Sequence, residues 1–432
     1  MEKLKNNQFI KSTFILIIGG FITKLLGMVI KIFTTRLVGV EGMGIYSLIM
    51  PTFMLFITLS QLGFPIAIST LVAAKKTNNK KLVLGILPIS LLINLILLLF
   101  LILFGDEIST HLLKETRTYL GIVAIGFVLP FIGISSIIRG YFFGKQRMLP
   151  HVISNIMEDV IRLILLIIFI PIFMKKGIEY AVFFLVFSNI FSELSSIIIL
   201  TICLPKRNFE NRDFLPSKKN TKLILQISIP STSSRIIGNI GAFLEPIIIT
   251  SVLLKVGYSN SFIINEYGII NGYVLPILML PSFFTLAISQ ALIPVISEHY
   301  YQNKDYAKRK LWQAIIFSIL IGIIFTIFVE LYPNFILNFM YKEEIGITYL
   351  RVLAPIFLLS YIQTPLTSCM QAMNHATAAM NGTLIGMIIR TVLLFILSYL
   401  KIGLWGLVIA MSSNIIYVTI HHILFLRKKF KK

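Results

Sequence analysis

Apolar runs of about 20 residues, separated by short polar connections, recur from one end of this 432-residue chain to the other. A helix of that length crosses a hydrocarbon core about 30 Å thick. The pattern predicts spans at 12–34, 44–72, 82–104, 118–141, 152–174, 180–203, 222–250, 267–297, 311–338, 347–372, 380–399 and 402–426. The expected fold class is all-α, a polytopic membrane protein of about 12 transmembrane helices. The longest polar connection, Pro205–Lys222, falls near the midpoint. It predicts an N-terminal six-helix lobe over 1–204, a cytoplasmic linker over 205–221, and a C-terminal six-helix lobe over 222–432 with a basic tail.

The two lobes repeat one another. Thr23-Lys24-Leu25-Leu26-Gly27 in the first span returns as Ser234-Arg235-Ile236-Ile237-Gly238 in the seventh. Ser60-Gln61 followed by Pro65 returns as Ser289-Gln290 followed by Pro294, and Arg162 in the fifth span has a counterpart at Arg390 in the eleventh. Each match is short, but all three keep their order and their helix. An even number of spans per lobe makes the repeats parallel. A pseudo-two-fold axis along the membrane normal follows, with the substrate site expected between the lobes.

Composition agrees with a membrane protein: 56% hydrophobic residues, 13% charged, and a mean hydropathy of +0.88. Soluble domains carry about 25% charged residues. A net charge of +21 would suit nucleic acid, but the cations sit in the connections, where the positive-inside rule places them, and no nucleic acid is expected as a partner. The side holding both termini has about 24 Lys and Arg, among them Lys75, Lys76, Lys206, Arg207, Lys304, Lys308 and Lys432, against about 8 on the other. That bias predicts cytoplasmic termini. Met1–Lys11 is basic and precedes an apolar run, yet no small-residue cleavage site follows, so the run is expected to be a retained first span. Cys203 and Cys369 show no pairing or metal spacing and are expected to be packing residues. The six histidines are scattered and form no metal set, and no P-loop, Gly-x-Ser-x-Gly or zinc motif appears. No cofactor, metal or enzymatic activity is expected.

Seven cations lie inside apolar runs: Lys24, Lys31, Arg139, Arg162, Arg235, Arg351 and Arg390. Facing lipid together they would cost on the order of 20 kcal/mol, more than the net stability of a fold. Those too far from a helix end to snorkel must meet water or a counter-ion. A positive interior suits a negative cargo.

Gly20, Lys24, Gly27 and Lys31 are spaced four, three and four, which keeps them on one helical face. Glycines at such spacing often form a packing seam, but packing does not account for two lysines on the stripe, which favours cavity lining. The seventh span repeats the design with Ser228, Ser231, Arg235, Gly238, Ala242 and Glu245. Pro51, Pro65, Pro276, Pro281 and Pro294 mark the second and eighth spans for kinks. Glu158 and Arg162, four apart, predict an intrahelical ion pair. Arg36 with Glu41 reads as an anchor at the outer end of the first span.

Three segments carry a family resemblance: Thr23–Ser69, Arg139–Ile164 and Leu292–Tyr300. They resemble the stage V sporulation protein B and polysaccharide-flippase branch of the multidrug/oligosaccharidyl-lipid/polysaccharide exporter superfamily, a likeness that extends over essentially the whole chain. The resemblance implies a V-shaped pair of six-helix lobes and transport of a polyprenyl-pyrophosphate-linked saccharide. The lipid II flippase is a relative whose essential cations lie in the first helix. By motif position its first arginine matches Lys24, its arginine–aspartate pair falls on Ile30-Lys31 without the acidic partner, and its later arginine matches Arg36.

The expected function is therefore a flippase for a lipid-linked oligosaccharide, working by alternating access as a monomer among membrane lipids. Lys24, Lys31, Arg36, Arg139, Arg235, Arg390 and Glu245 are its candidate substrate-binding residues. Cations would hold the pyrophosphate through charge-assisted contacts, with a sodium ion, a proton or the membrane potential driving the cycle. The alternative is a cation-coupled multidrug antiporter of the same superfamily. It would present carboxylates, for which Glu158, Asp159, Glu193, Glu245 and Glu330 are available.

Overall fold

Among the described residues, sixteen α-helices follow one another and no strand interrupts them. A computed structural model describes residues 2–74, 79–205, 211–300 and 302–431. Lys75, Lys76, Lys206, Arg207 and Lys432 of the expected cytoplasmic set lie outside the described residues. The helices are α1 (Glu2–Gln61), α2 (Phe64–Ala73), α3 (Asn79–Glu107), α4 (Tyr119–Gly144), α5 (Met148–Met174), α6 (Ile178–Phe187), α7 (Asn189–Ile202) and α8 (Lys218–Val256). They continue as α9 (Asn260–Gly268), α10 (Leu275–Leu278), α11 (Ser282–His299), α12 (Lys304–Leu331), α13 (Pro333–Tyr341), α14 (Ile347–Ala372), α15 (Ala376–Ser398) and α16 (Trp405–Lys431).

Helix α1 is 60 residues long, which would run about 90 Å if it were straight. It is not straight. At Gly39 φ is 69° and ψ is −171°, a conformation that glycine adopts without steric cost. The Lys31 ammonium then sits 5.7 Å from the centre of the Tyr46 ring, whereas residues this far apart in sequence would be about 22 Å apart along a straight helix. The chain doubles back at Gly39, and α1 holds the first expected span and most of the second, the rest of which falls in α2.

Among the described residues nine helices are long and apolar enough to span a membrane, or ten if the pair Asn260–Leu278 and Ser282–His299, bent by 51°, is one span. The doubled α1, continued by α2, counts once in that number. Helix α5, which carries Glu158, Asp159 and Arg162, falls outside it. The apolar surface these helices present is what lipid requires: on α3, Leu92, Leu95, Ile96, Leu99 and Leu103 all point outward, the last of them 72% exposed.

The chain divides into two compact units, Met1–Pro246 and Ile247–Lys432. The division falls inside α8, at a proline, rather than in the polar connection. In the first unit, Phe64, Ala67 and Ile68 of α2 pack with Leu82, Val83 and Ile86 of α3, Ile137 of α4 and Ile224 of α8. Ile224 explains the division: α8, which begins inside the expected linker, buries the apolar face of its first turns in the first unit. A second cluster there joins Val38 and Met43 on either side of the Gly39 turn to Leu166, Ile170, Ala181 and Phe184. The second unit is built round Leu292, Ile296, Leu311, Ile362, Leu366, Met370, Ala379 and Leu426, drawn from α11, α12, α14, α15 and α16. Cys369 is buried in that core, while Cys203 is exposed, so the packing role expected of both cysteines belongs to Cys369 alone.

Candidate functional site

The glycines of α1 separate its packing face from its open face. A Cβ added to Gly19 would lie 2.3 Å from Val152 Cγ1, so this residue is where α1 and α5 press together. A Cβ added to Gly20 or Gly27 would meet nothing within 4 Å. Lys24 stands exposed between them, and Thr23 turns the other way, donating its hydroxyl to the carbonyls of Gly19 (3.0 Å) and Gly20 (3.1 Å). The Gly20–Lys24–Gly27 stripe is therefore an open, cationic face and not a helix-packing seam. Lys31, one turn further on, is half-buried and lies over the Tyr46 ring, a cation–π contact that holds its ammonium without neutralising it. Arg36 is exposed near the turn, and the partner found for Glu41 is Arg117, whose Nη1 lies 2.5 Å from its carboxylate.

The corresponding stripe of α8 is divided. Its beginning is a packing face: Ser228 is buried, and a Cβ on Gly63, which has φ 67°, would come within 2.6 Å of Ser231 Oγ and 2.8 Å of the Ser228 carbonyl. Beyond it, Arg235 and Ala242 are exposed, Gly238 meets nothing within 4 Å, and Glu245 is half-buried. Asn239, on the neighbouring face, ties α8 to the second limb of α1 by donating to Thr58 Oγ1 (2.6 Å) and the Met54 carbonyl (3.3 Å). Asn239 was not among the expected residues, although an amide inside an apolar span, one turn from Arg235, is a visible signal.

Arg139 occupies a different environment from Lys24. Its Nη2 donates to Glu158 Oε2 on α5 (2.6 Å) and to Ser196 Oγ on α7 (2.8 Å), and the Glu193 carboxylate of α7 stands 3.5 Å away. Arg162 Nη2 takes the other Glu158 oxygen at 2.8 Å, which is the expected intrahelical pair. Two guanidinium groups and two carboxylates, all buried or half-buried, thus form one network across α4, α5 and α7. Arg139 was expected among the substrate-binding cations, and here its charge is engaged by two carboxylates. Arg390, the counterpart of Arg162, is half-buried on α15. Among the described residues no group of three or more His, Cys, Asp or Glu side chains is placed to share a metal ion.

Residues 9–300 match the family described as polysaccharide biosynthesis protein, and residues 271–396 match the family described as MatE. The chain is 36% identical to stage V sporulation protein B of Bacillus subtilis (strain 168), over 97% of this chain and 83% of that protein. It is 22% identical to the lipid II flippase MurJ of the same organism, over 90% of this chain and 77% of that protein. In fold it resembles a multidrug resistance MATE family transporter of the MOP superfamily in an inward-facing conformation, with a TM-score of 0.75 at 19% identity, covering 95% of this chain and 94% of that one.

Proposed function

This chain belongs to the polysaccharide biosynthesis protein family, as a multi-pass membrane flippase or transporter, and from that premise we propose that its cargo is a polyprenyl-pyrophosphate-linked saccharide. The observation that carries this reading is the open cationic face of α1. Lys24 is exposed between two glycines whose front is empty, so a ligand can reach its ammonium without displacing a neighbouring helix. Lys31 on the same stripe and Arg235 on α8 supply further positive charge, and an anionic pyrophosphate matches that set through charge-assisted hydrogen bonds. The prenyl tail stays in lipid while the head group crosses by alternating access, in a chain of twelve crossings with both termini cytoplasmic. The reading agrees with the name of the lipid II flippase to which the chain is similar.

A cationic-drug antiporter would need carboxylates free to meet its substrate. Glu158 and Glu193 are instead held by Arg139 and Arg162, and the α1 stripe carries no acid at all.

The test is flipping of a fluorescent polyprenyl-pyrophosphate sugar in proteoliposomes. Lys24→Ala and Arg235→Ala are expected to abolish it with insertion intact, because neither side chain packs in the core. Lys24→Arg should retain most activity, since it keeps the charge and adds bidentate contacts, and Lys24→Glu should be worse than alanine. Normal flipping by the glutamate variant would overturn the proposal.

A further inference from the structure

Outside the α1 and α8 stripes, the first unit contains a cavity of about 690 Å³ between α3 and the first turns of α8, open along one side as a groove. Its size lies within the range of about 300–1,000 Å³ typical of small-ligand sites. The segment before α8 forms one wall. Asp213 is buried there and ion-paired to Lys80 at the start of α3, and the Leu215 carbonyl lies 3.3 Å from where a Cβ on Gly85 would stand. That segment is held on α3, and Pro216 lines the cavity.

The two ends of the cavity differ in chemistry. At its mouth stand Lys218 and Lys222, both exposed, on successive turns of α8. Residues four apart on a helix lie about 6 Å from one another, close enough to share one phosphate. Among the described residues neither lysine has an ion-pair partner, and the nearby Asp213 is engaged by Lys80. The first-turn amides of α8 add partial positive charge to the same end. Below the lysines the lining is mainly apolar, with Ile89, Leu225, Ile229 and Pro230, while Thr221 and Gln226 are its other polar members. The apolar surface then continues along α8 through Ile237 and Ile240, which are 53% and 43% exposed. A soluble anion would use the lysines and leave this surface bare. A molecule with a phosphate at one end and an acyl chain at the other covers both.

We propose that this cavity binds one anionic glycerophospholipid, its phosphate on Lys218 and Lys222 and an acyl chain along Leu225 and Ile229. Basic pockets between spanning helices at head-group depth are where anionic lipids bind, and the first turns of a spanning helix lie at that depth. The inference requires only a membrane protein and is independent of what the protein transports.

Binding of a fluorescent phosphatidylglycerol to the delipidated full chain in detergent tests it, with unlabelled competitors added in turn. Unlabelled phosphatidylglycerol should displace the probe at far lower concentration than phosphatidylcholine. The double variant Lys218→Gln/Lys222→Gln should weaken binding roughly thirtyfold, and Lys304→Gln/Lys308→Gln, in a basic cluster elsewhere, should leave it unchanged. Ile229→Trp fills the apolar end with both lysines intact and should also weaken binding. Equal competition by phosphatidylcholine, or by inorganic phosphate, would overturn the proposal, and stronger competition by a polyprenyl pyrophosphate would assign the cavity to the substrate instead. If the double lysine variant does not fold, unaltered binding by Ile229→Trp overturns it equally.

Discussion

The helix pair α5–α7 in the first unit and the pair α15–α16 in the second occupy the same place in the repeat expected from the sequence, yet they are joined by opposite chemistry. In the register that sets Arg162 on Arg390, Glu158 falls on Gly386, Arg139 on Thr367 and Glu193 on His421. Where the first unit has a carboxylate shared by two arginines, the second has a glycine so close to α16 that a Cβ would come 2.5 Å from Val418 Cγ2. Around it Arg390 is half-buried one turn further on, and several polar contacts join neutral groups. Gln363 Nε2 donates to Thr419 Oγ1 and to the Ile415 carbonyl, both at 2.8 Å, and His422 lies 3.4 Å from Thr367 Oγ1 and from the Ala379 carbonyl. One repeat binds its helices by charge across a gap, the other by removing the side chain that would keep them apart. Internal similarity therefore does not carry site chemistry from one half to the other.

The largest effect expected from this contrast is that of Glu158→Ala. It leaves Arg139 and Arg162 without their shared carboxylate, and breaking one side of a buried ion pair costs about 3–5 kcal/mol. The variant should show a clearly lowered melting temperature in detergent and reduced yield from membranes. Gly386→Ala should come next, at about 1–3 kcal/mol, because an added methyl in a close-packed contact forces its neighbours to move. Cross-linking between cysteines placed on α15 and α16 should report the separation directly. The smallest effect should be that of Gln363→Leu, which removes neutral hydrogen bonds worth about 0.6 kcal/mol each within a membrane. If Glu158→Ala melted no lower than Gln363→Leu, the charged and neutral interiors would be energetically equivalent and the contrast would fail.

The prolines diverge between the repeats in the same way. Pro65 returns as Pro294, Pro281 stands one residue past the position matching Pro51, and kinks were expected in both spans. In the first unit the helix continues past Pro51 and breaks at Leu62 and Gly63, both at positive φ, just before Pro65. In the second unit the break comes at Met279–Pro281 and α11 continues through Pro294. Proline marks where a helix can break. Which of two prolines is used depends on the residues round it: Gly63 accepts a left-handed conformation against Ser231 and Thr232, and at the corresponding place in the second unit stands Leu292, buried in the core.

Much of the molecule is legible in its amino-acid sequence. Apolar run length dictates helices and membrane spans, because lipid offers no partner for backbone polar groups. Spacing alone places Gly20, Lys24, Gly27 and Lys31 on one face, and Glu158 beside Arg162. Periodicity assigns residues to a face, but it says nothing of what that face meets. Only the tertiary structure decides that Gly19 packs while Gly20 and Gly27 stand open, that Arg139 finds carboxylates on α5 and α7, and that the first turns of α8 belong with α2 and α3. Each of these depends on distances between helices far apart in sequence, set by how side chains fill the space between them, and no local pattern records such distances.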